Sequence, residues 1–361
     1  MFLGVDQMKA INRSRNSLST IIFCLTNFFA FLYIFGWEIK YVVFSWACLF
    51  FVCFFSIFGI ITDKNVKKNN LVTILLCFLA INIVGIALST NFAISIKWCA
   101  SIFVVLCYLK YLSACDQKSK LRLLNVFIVF CLLSVIGVYL NLLFPAILIG
   151  INKAILKDGS LENFMLMNSY GYYPGFSGFT IIPGFFGGIG AIYFFVKFEN
   201  KKNIKKFIAL ALSGICFFAI MLTQKRGITI ATASSIVVLL FLRQFIRKDI
   251  KTIVQTLFVL CSLFIVVFLL VTKTESGQIM LNRFFENDDI SSGRFKLNET
   301  VLNDWHKYFF FGNGPSSTQA LLSGDAHNIY IQVFFENGIL GLIAISALVI
   351  CALTKTIKSI Y

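Results

Sequence analysis

The sequence predicts an all-α polytopic membrane protein: about ten transmembrane helices in a single bundle, with a long helical outer loop before the last of them. Three observations carry this expectation. The 361 residues are 58% hydrophobic with a mean hydropathy of +0.85, and only 13% are charged, about half the charged fraction of a soluble domain. The apolar residues are grouped in runs long enough to cross a hydrocarbon core ~30 Å thick, which takes about 20 helical residues. The basic residues alternate along the chain as cytoplasmic and outer connections do.

The runs follow in order. The first, 18–36, comes after Lys9, Arg13 and Arg15. It is longer than the apolar region of a signal peptide, and no small-residue cleavage pattern follows, so it reads as a retained helix. Run 41–62 ends at Lys64, Lys67 and Lys68. Runs 71–88 and 92–112 are joined by a tight turn at 89–91. Run 121–144 is entered from Lys118, Lys120 and Arg122. Runs 180–197 and 207–223 flank Lys201, Lys202, Lys205 and Lys206. Runs 227–242 and 252–272 flank Arg243, Arg247, Lys248 and Lys251, and run 337–354 closes the bundle. In this arrangement 21 of the 32 basic residues lie in alternate connections. That bias places both termini in the cytoplasm. The net charge of +16 is then mostly a topology signal and not a nucleic-acid surface. The acidic residues lean the other way, with 8 of 16 in 273–336.

Other chemistries leave no trace. The eleven cysteines sit in apolar runs or, for Cys115, in a cytoplasmic link, so a disulfide framework is not expected. No CxxC or Cys/His spacing suggests a metal, and no cofactor motif appears. Neither a Walker-type glycine loop nor a paired-carboxylate glycosidase arrangement is present.

Two connections are too long to be turns, and the topology puts both outside: 145–179 and 273–336. The larger is rich in aromatics, with Phe284, Phe285, Phe295, Trp305 and the run Tyr308 to Phe311. Within it, Leu297, Val301, Trp305 and Phe309 recur every four residues, which predicts an amphipathic helix over 294–309 lying on the outer surface. Its first turn carries Arg294. Gly312-Asn313-Gly314-Pro315 then requires a tight turn. A second helix is expected from Asp325 as N-cap, with His327 in its first turn. There the helix dipole favours the neutral imidazole, which can accept a proton from a hydroxyl. The plainer reading of His327 is a helix-capping or interfacial side chain.

Arg226 is the other unusual charge. Lys225 and Arg226 join two short runs and must sit at the outer interface, against the positive-inside bias. Such a charge faces a cavity or partner, or snorkels to headgroups. Small residues after it (Ala231, Ala233, Ser234, Ser235) permit close helix packing. Arg226, Arg283 and Arg294 all fall on the outer side, where planar guanidinium groups suit phosphate oxygens.

His327-Asn328, followed by Glu336 and Gly338-Ile339-Leu340-Gly341, resembles the signature that closes the outer loop of the O-antigen polymerase and O-antigen ligase superfamily. Ser292-Gly293-Arg294, Trp305 and Phe311-Gly312-Asn313-Gly314-Pro315 are similar to the segment preceding it. Leu222-Thr223-Gln224-Lys225-Arg226-Gly227 is similar to that family's arginine-bearing hairpin. The resemblance covers roughly 170–350. It departs at Ser169–Phe176, where many relatives carry a further arginine and this chain has none; Lys153 or Lys157 could supply the charge, or the tyrosines could stack on sugar.

The resemblance implies a bundle related to the C-type glycosyltransferases, without metal or nucleotide sugar. It implies an inner-membrane enzyme that moves glycan from undecaprenyl pyrophosphate onto a hydroxyl. Arg226 and Arg294 would hold the pyrophosphate, and His327 would activate or orient the acceptor. The expected reaction is that of an O-antigen-type polymerase; the alternatives are an O-antigen ligase acting on lipid A core, or a polysaccharide flippase. The expected partners are lipid-linked glycans and membrane lipid, with a chain-length regulator and a flippase beside them. A transporter would favour two similar halves and charges within the helices. No internal repeat is present, and Lys97 is the only clear mid-helix charge.

Overall fold

The computed structural model describes residues 20–30, 32–33, 39–40, 42–62, 69–200, 204–247, 305–318 and 328–360, with single positions at 265, 269, 273, 278, 299 and 303. The described residues are almost entirely helical. In chain order the helices are α1 (Thr20–Ala30), α2 (Val42–Thr62), α3 (Asn70–Gly85), α4 (Phe92–Ala114), α5 (Gln117–Leu143), α6 (Pro145–Ile155), α7 (Asp158–Ser169), α8 (Ile181–Asn200), α9 (Ile204–Leu222), α10 (Arg226–Arg247) and α11 (Ile329–Ile360). Single 3-10 turns at Ile86–Leu88 and Trp305–Tyr308 complete the order.

Seven of these helices are long and apolar enough to cross a membrane. They correspond to runs 41–62, 71–88, 92–112, 121–144, 180–197, 207–223 and 337–354. Three expected spans are not among them. Run 18–36 is described only as the short helix Thr20–Ala30. Run 227–242 lies in α10, whose apolar part, Arg226–Phe241, is shorter than a full span. Run 252–272 lies outside the described residues apart from Ile265 and Leu269. Large apolar side chains such as Phe50, Phe54, Val129, Ile136 and Ile208 are exposed on these helices. In water that surface would be costly; in lipid it is not.

The chain divides into two compact units. The first comprises Met1–Tyr33, Trp46–Lys120 and Ser291–Tyr361. Its core joins α3, α4 and α11 through Phe78, Leu79, Cys99, Ile102, Val333 and Ala344. A second cluster sets Leu49 and Val52 of α2 against Val104 of α4. Asn69 and Asn91 accept backbone N–H bonds at the starts of α3 and α4, which ends two orphan-donor problems at the helix tips.

The second unit comprises Ile34–Ser45 and Leu121–Ile290. Val135 and Val138 of α5, Ala191 of α8, and Cys216, Phe217 and Ala219–Leu222 of α9 form its main core. Helix α8 approaches its neighbours through glycines. A methyl added at Gly188 would stand 2.8 Å from the Thr232 hydroxyl of α10, and one at Gly190 would stand 3.0 Å from Cys216 Sγ of α9. Small residues thus let three helices close on one another, as membrane helices do without a hydrophobic drive between them. The packed face of α10 is Thr229, Thr232, Ile236 and Leu240, whereas Ala231 and Ser234 point outward. The close packing expected from α10's own small residues therefore comes mainly from the glycines facing it.

The connection 145–179 is built and not extended. Helices α6 and α7 pack through Leu148, Leu156 and Phe164. Asn168 pairs with Asn141 of α5, Asn152 donates to Gly175 C=O at 2.9 Å, and Asn163 donates to Gly178 C=O at 2.6 Å. Two side-chain amides therefore satisfy backbone carbonyls of this segment and two more satisfy each other, which apolar surroundings demand.

Candidate functional site

Two parts of the structure gather the residues that the sequence singled out, one in each unit. In the second unit, α9 ends at Leu222 and α10 begins at Arg226. The turn between them is tight because Gln224 takes a left-handed backbone (φ 58°), and its N–H bonds to Met221 C=O at 3.0 Å. Thr223 is buried and its hydroxyl donates to Ile220 C=O at 2.6 Å. Tyr173, from the segment before α8, donates its N–H to Leu222 C=O at 3.2 Å. A methyl at Gly184 would stand 3.1 Å from Thr223 Oγ1 and 3.7 Å from Lys225 Cβ. The turn is thus held on two sides, by Tyr173 and by the start of α8. It sets half-buried Arg226 at the first position of α10. A helix start carries positive partial charge and Arg226 adds a formal one there, a combination suited to an anion.

In the first unit, residues 309–315 of the connection before α11 are clasped onto the start of that helix. That helix is broken at Gly338, whose φ of 62° and ψ of −161° are not helical. The break frees backbone groups, and the loop takes them up. Ile339 N–H donates to Phe309 C=O at 2.7 Å; Asn313 and Gly314 N–H donate to Phe335 and Glu336 C=O, each at 2.9 Å. Gly312 (φ 73°) lies against the Glu336–Asn337 peptide, and Gly314 (φ 89°) lies against Gly85 and Ser89 at the end of α3. Pro315 C=O accepts from Ser95 at 2.7 Å. The Gly312–Pro315 turn expected from sequence is therefore present, and three of its partners are backbone.

Around the clasp is a buried polar network. Asn337 donates to Asn82 Oδ1 at 3.1 Å, and Asn82 donates to Phe78 C=O at 2.8 Å. Glu336 is buried, and its Oε1 accepts from the Thr318 hydroxyl and, at 3.2 Å, from Gln332 Nε2. Thr318 is itself fully buried.

Of the three predicted site residues, the structure places Arg226, while Arg294 and His327 lie outside the described residues. Two local expectations change. Helix α11 begins at Ile329 with Asn328 as its cap, Oδ1 accepting from Tyr330 N–H at 3.0 Å, and not at Asp325. Either short polar side chain could cap, so spacing alone does not choose between them. The amphipathic helix expected over 294–309 is helical at Glu299 and Asn303 but tightens to a 3-10 turn at Trp305–Tyr308. Three residues per turn instead of 3.6 shift the inward face. Tyr308 is buried against Phe335, with ring centroids 4.9 Å apart, and Trp305 is exposed. His306, next to it, is exposed as well.

Residues 208–346 match the family model described as O-antigen ligase. This part of the chain is similar to that family. The matched segment runs from α9 through the Arg226 turn to the clasp and the Gly338 break. The family consists of glycosyltransferase-like enzymes of the bacterial inner membrane, O-antigen ligases and polymerases among them. No curated protein and no solved structure matches the chain.

The family's signature residues in this chain serve the fold as well as any chemistry. Gly338 and Gly312 permit the clasp, and Asn337 ties it to α3. Thr318, Asn82 and Ser95 were not singled out in the sequence, since a lone Ser, Thr or Asn in an apolar run gives no periodic signal.

Proposed function

We propose that this protein is an O-antigen-type polymerase of the bacterial inner membrane, with both termini cytoplasmic and the two long connections periplasmic. It transfers a growing glycan from undecaprenyl pyrophosphate to the non-reducing end of a lipid-linked repeat unit. The observation that carries this reading is the family match over 208–346, which contains both the Arg226 turn and the clasped start of α11.

In the reaction, an acceptor hydroxyl oxygen attacks the anomeric carbon of the donor sugar. The bond from that carbon to the pyrophosphate oxygen breaks, and undecaprenyl pyrophosphate leaves with the electron pair. His327 takes or orients the hydroxyl proton. Arg226 and Arg294 hold the pyrophosphate, whose charge rises as the bond breaks; fixed cations stabilise that state more than the ground state. Arg226 at a helix start is well suited to this because the helix dipole adds to its field.

Two features favour polymerase over ligase. The composition is rich in Lys, Phe, Ile and Asn, which reflects AT-rich coding of the kind found in exchanged polysaccharide clusters. The outer loop 273–336 is modest for embracing a lipid A core. The ligase reading is supported by the description of the family model itself. Deleting the gene in its host and running the lipopolysaccharide on a gel decides between them. A polymerase leaves core plus one repeat and no ladder. Bare core, with long polymer accumulating on the carrier lipid, establishes a ligase. Lipid-linked single repeats trapped inside establish a flippase.

The orientation has its own test. In a Cys-depleted background, an impermeant thiol reagent applied outside is expected to label Asp288→Cys and Lys307→Cys but not Asn203→Cys or Asp249→Cys. Lys307 is exposed, which makes it a usable reporter; its neighbour in the clasp, Ser317, is fully buried and is not. Labelling at 203 from outside overturns the topology.

A further inference from the structure

The basic surplus of the chain is mostly a topology signal, but at one end of the second unit some of that charge is held in place. Helix α8 ends at Asn200 and α9 starts at Ile204, so the two form a hairpin. Lys197, on the last turn of α8, sets its Nζ 5.3 Å from the ring centroid of Tyr193, one turn earlier. Lys206, on the first turn of α9, reaches across to α8 and sets its Nζ 4.8 Å from the ring centroid of Phe198. Both are cation–π contacts. The rings are fixed in turn. The Tyr193 hydroxyl donates to Asn125 Oδ1 of α5 at 3.0 Å, and Phe198 is buried in a cluster with Phe195, Ala209 and Ile236. The Tyr193 bond brings α5 alongside, so Arg122, exposed and one turn before Asn125, belongs to the same end. Lys205 is exposed beside Lys206. The described side chains of α8 and α9 include no carboxylate.

A lysine at a helix end ordinarily moves freely in water. Lys197 and Lys206 are instead half-buried over rings. An ammonium with one side against a ring keeps other N–H donors for an oxygen anion. Its stem is already ordered, so less freedom is lost when the anion arrives. Next to these cations, Ile204, Phe207 and Ile208 of α9 expose apolar surface. A cationic rim beside an apolar wall matches a lipid, with phosphate at the rim and acyl chains along the wall. A free anion would use the rim alone. We propose that Lys197 and Lys206, held over Tyr193 and Phe198 with Arg122 and Lys205 beside them, bind the phosphate of an anionic phospholipid. This site lies at the opposite end of α9 from the Arg226 turn, so it stands independently of the transfer reaction.

The test titrates the full-length protein, in neutral detergent, into phosphatidylglycerol carrying a fluorophore on one acyl chain, and reads fluorescence polarisation. Phosphatidylcholine labelled in the same way is the neutral comparison and is expected to bind much more weakly. Lys197→Gln combined with Lys206→Gln is expected to weaken phosphatidylglycerol binding by ~25-fold, since each basic side chain near an anionic lipid contributes about 5-fold. Lys110→Gln combined with Lys355→Gln removes the same charge from the first unit and is expected to change binding little. Tyr193→Leu keeps every charge but takes the ring from under Lys197, and a loss of ~2–5-fold is expected. Should Tyr193→Leu not accumulate in membranes, the two lysine pairs decide, because neither Lys197 nor Lys206 belongs to a core cluster. An equal loss in the Lys110 and Lys355 pair shows diffuse attraction to net charge and overturns the proposal. So does equal affinity for phosphatidylcholine, and so does wild-type affinity in Tyr193→Leu. Displacement of the lipid by inorganic phosphate at millimolar concentration assigns these lysines to a free anion and overturns it as well.

Discussion

Arg226→Ala is expected to abolish polymer formation while the protein remains in the membrane at its normal level. The reason begins with geometry. Arg226 opens α10 at a turn pinned by Tyr173 and by the start of α8. It is half-buried and not part of the apolar core that joins α5, α8 and α9, so truncation leaves the core intact. On the proposed function, what is lost is a fixed cation where leaving-group charge develops, and removing one such preorganised group costs at least about 100-fold in rate. Arg226→Lys is expected to recover part of the activity, because an ammonium keeps the charge but not the planar fork that grips two phosphate oxygens. Arg294→Ala and His327→Ala are expected to be as severe, and His306→Ala mild, since His306 is exposed on the 3-10 turn and matches no family motif. Polymer length and amount on a gel, with membrane levels from a blot, check the series. An essential His306 beside a dispensable His327 would mean the site is wrongly assigned.

The second large effect is structural. Gly338→Ala and Gly312→Val are each expected to prevent stable assembly of the first unit. Gly338 sits at φ 62° and ψ −161°, a backbone region essentially confined to glycine. A methyl there would also overlap the Phe310 carbonyl and stand 2.7 Å from Phe311 N. Gly312, at φ 73°, faces the Glu336–Asn337 peptide just as closely. The backbone strain costs about 1–2 kcal/mol and forced overpacking about 1–3 kcal/mol more. Against a net stability of ~5–15 kcal/mol that loss is large. The backbone on the far side of each contact cannot yield without breaking the bonds from Asn313, Gly314 and Ile339. The thermal midpoint of detergent-solubilised protein is the measurement. Gly150→Ala serves as the control, because its added methyl meets nothing within 4 Å. A Gly338→Ala midpoint equal to that of Gly150→Ala would show that the clasp contributes little to stability.

Much of the fold was legible in the sequence because a bilayer simplifies the code. Apolar length alone separates spans from links, and seven of the expected runs are helices of spanning length. The turn at 223–225 was legible too, since two short apolar runs with polar residues between them leave no other geometry. So were the glycines of 312–314, whose spacing before Pro315 has no helical or extended solution. Where the sequence misled in this region, it did so by a turn or less. The four-residue recurrence through Trp305 and Phe309 assumed an α-helical period; a 3-10 turn rotated Tyr308 inward instead. Asp325 and Asn328 are equivalent as caps on paper, and the helix starts where the Asn328 Oδ1 accepts from Tyr330 N–H.

By itself, then, the sequence determined that the chain is a helical membrane protein, where most of its spans lie, and which cations and which histidine stand apart from the apolar runs. Those properties follow from local composition, because solvation by lipid acts on each segment separately. Only the tertiary structure decided which polar residues support others. Asn82 meets Asn337, Ser95 meets Pro315, and Thr318 meets Glu336. None of these pairs has a period or a motif. They arise because Gly338 interrupts α11 at one height in the bundle and leaves carbonyl and N–H groups that a buried site requires to be bonded. The loop that satisfies them comes from distant sequence, so the pairing exists only once α3, α4 and α11 have packed together.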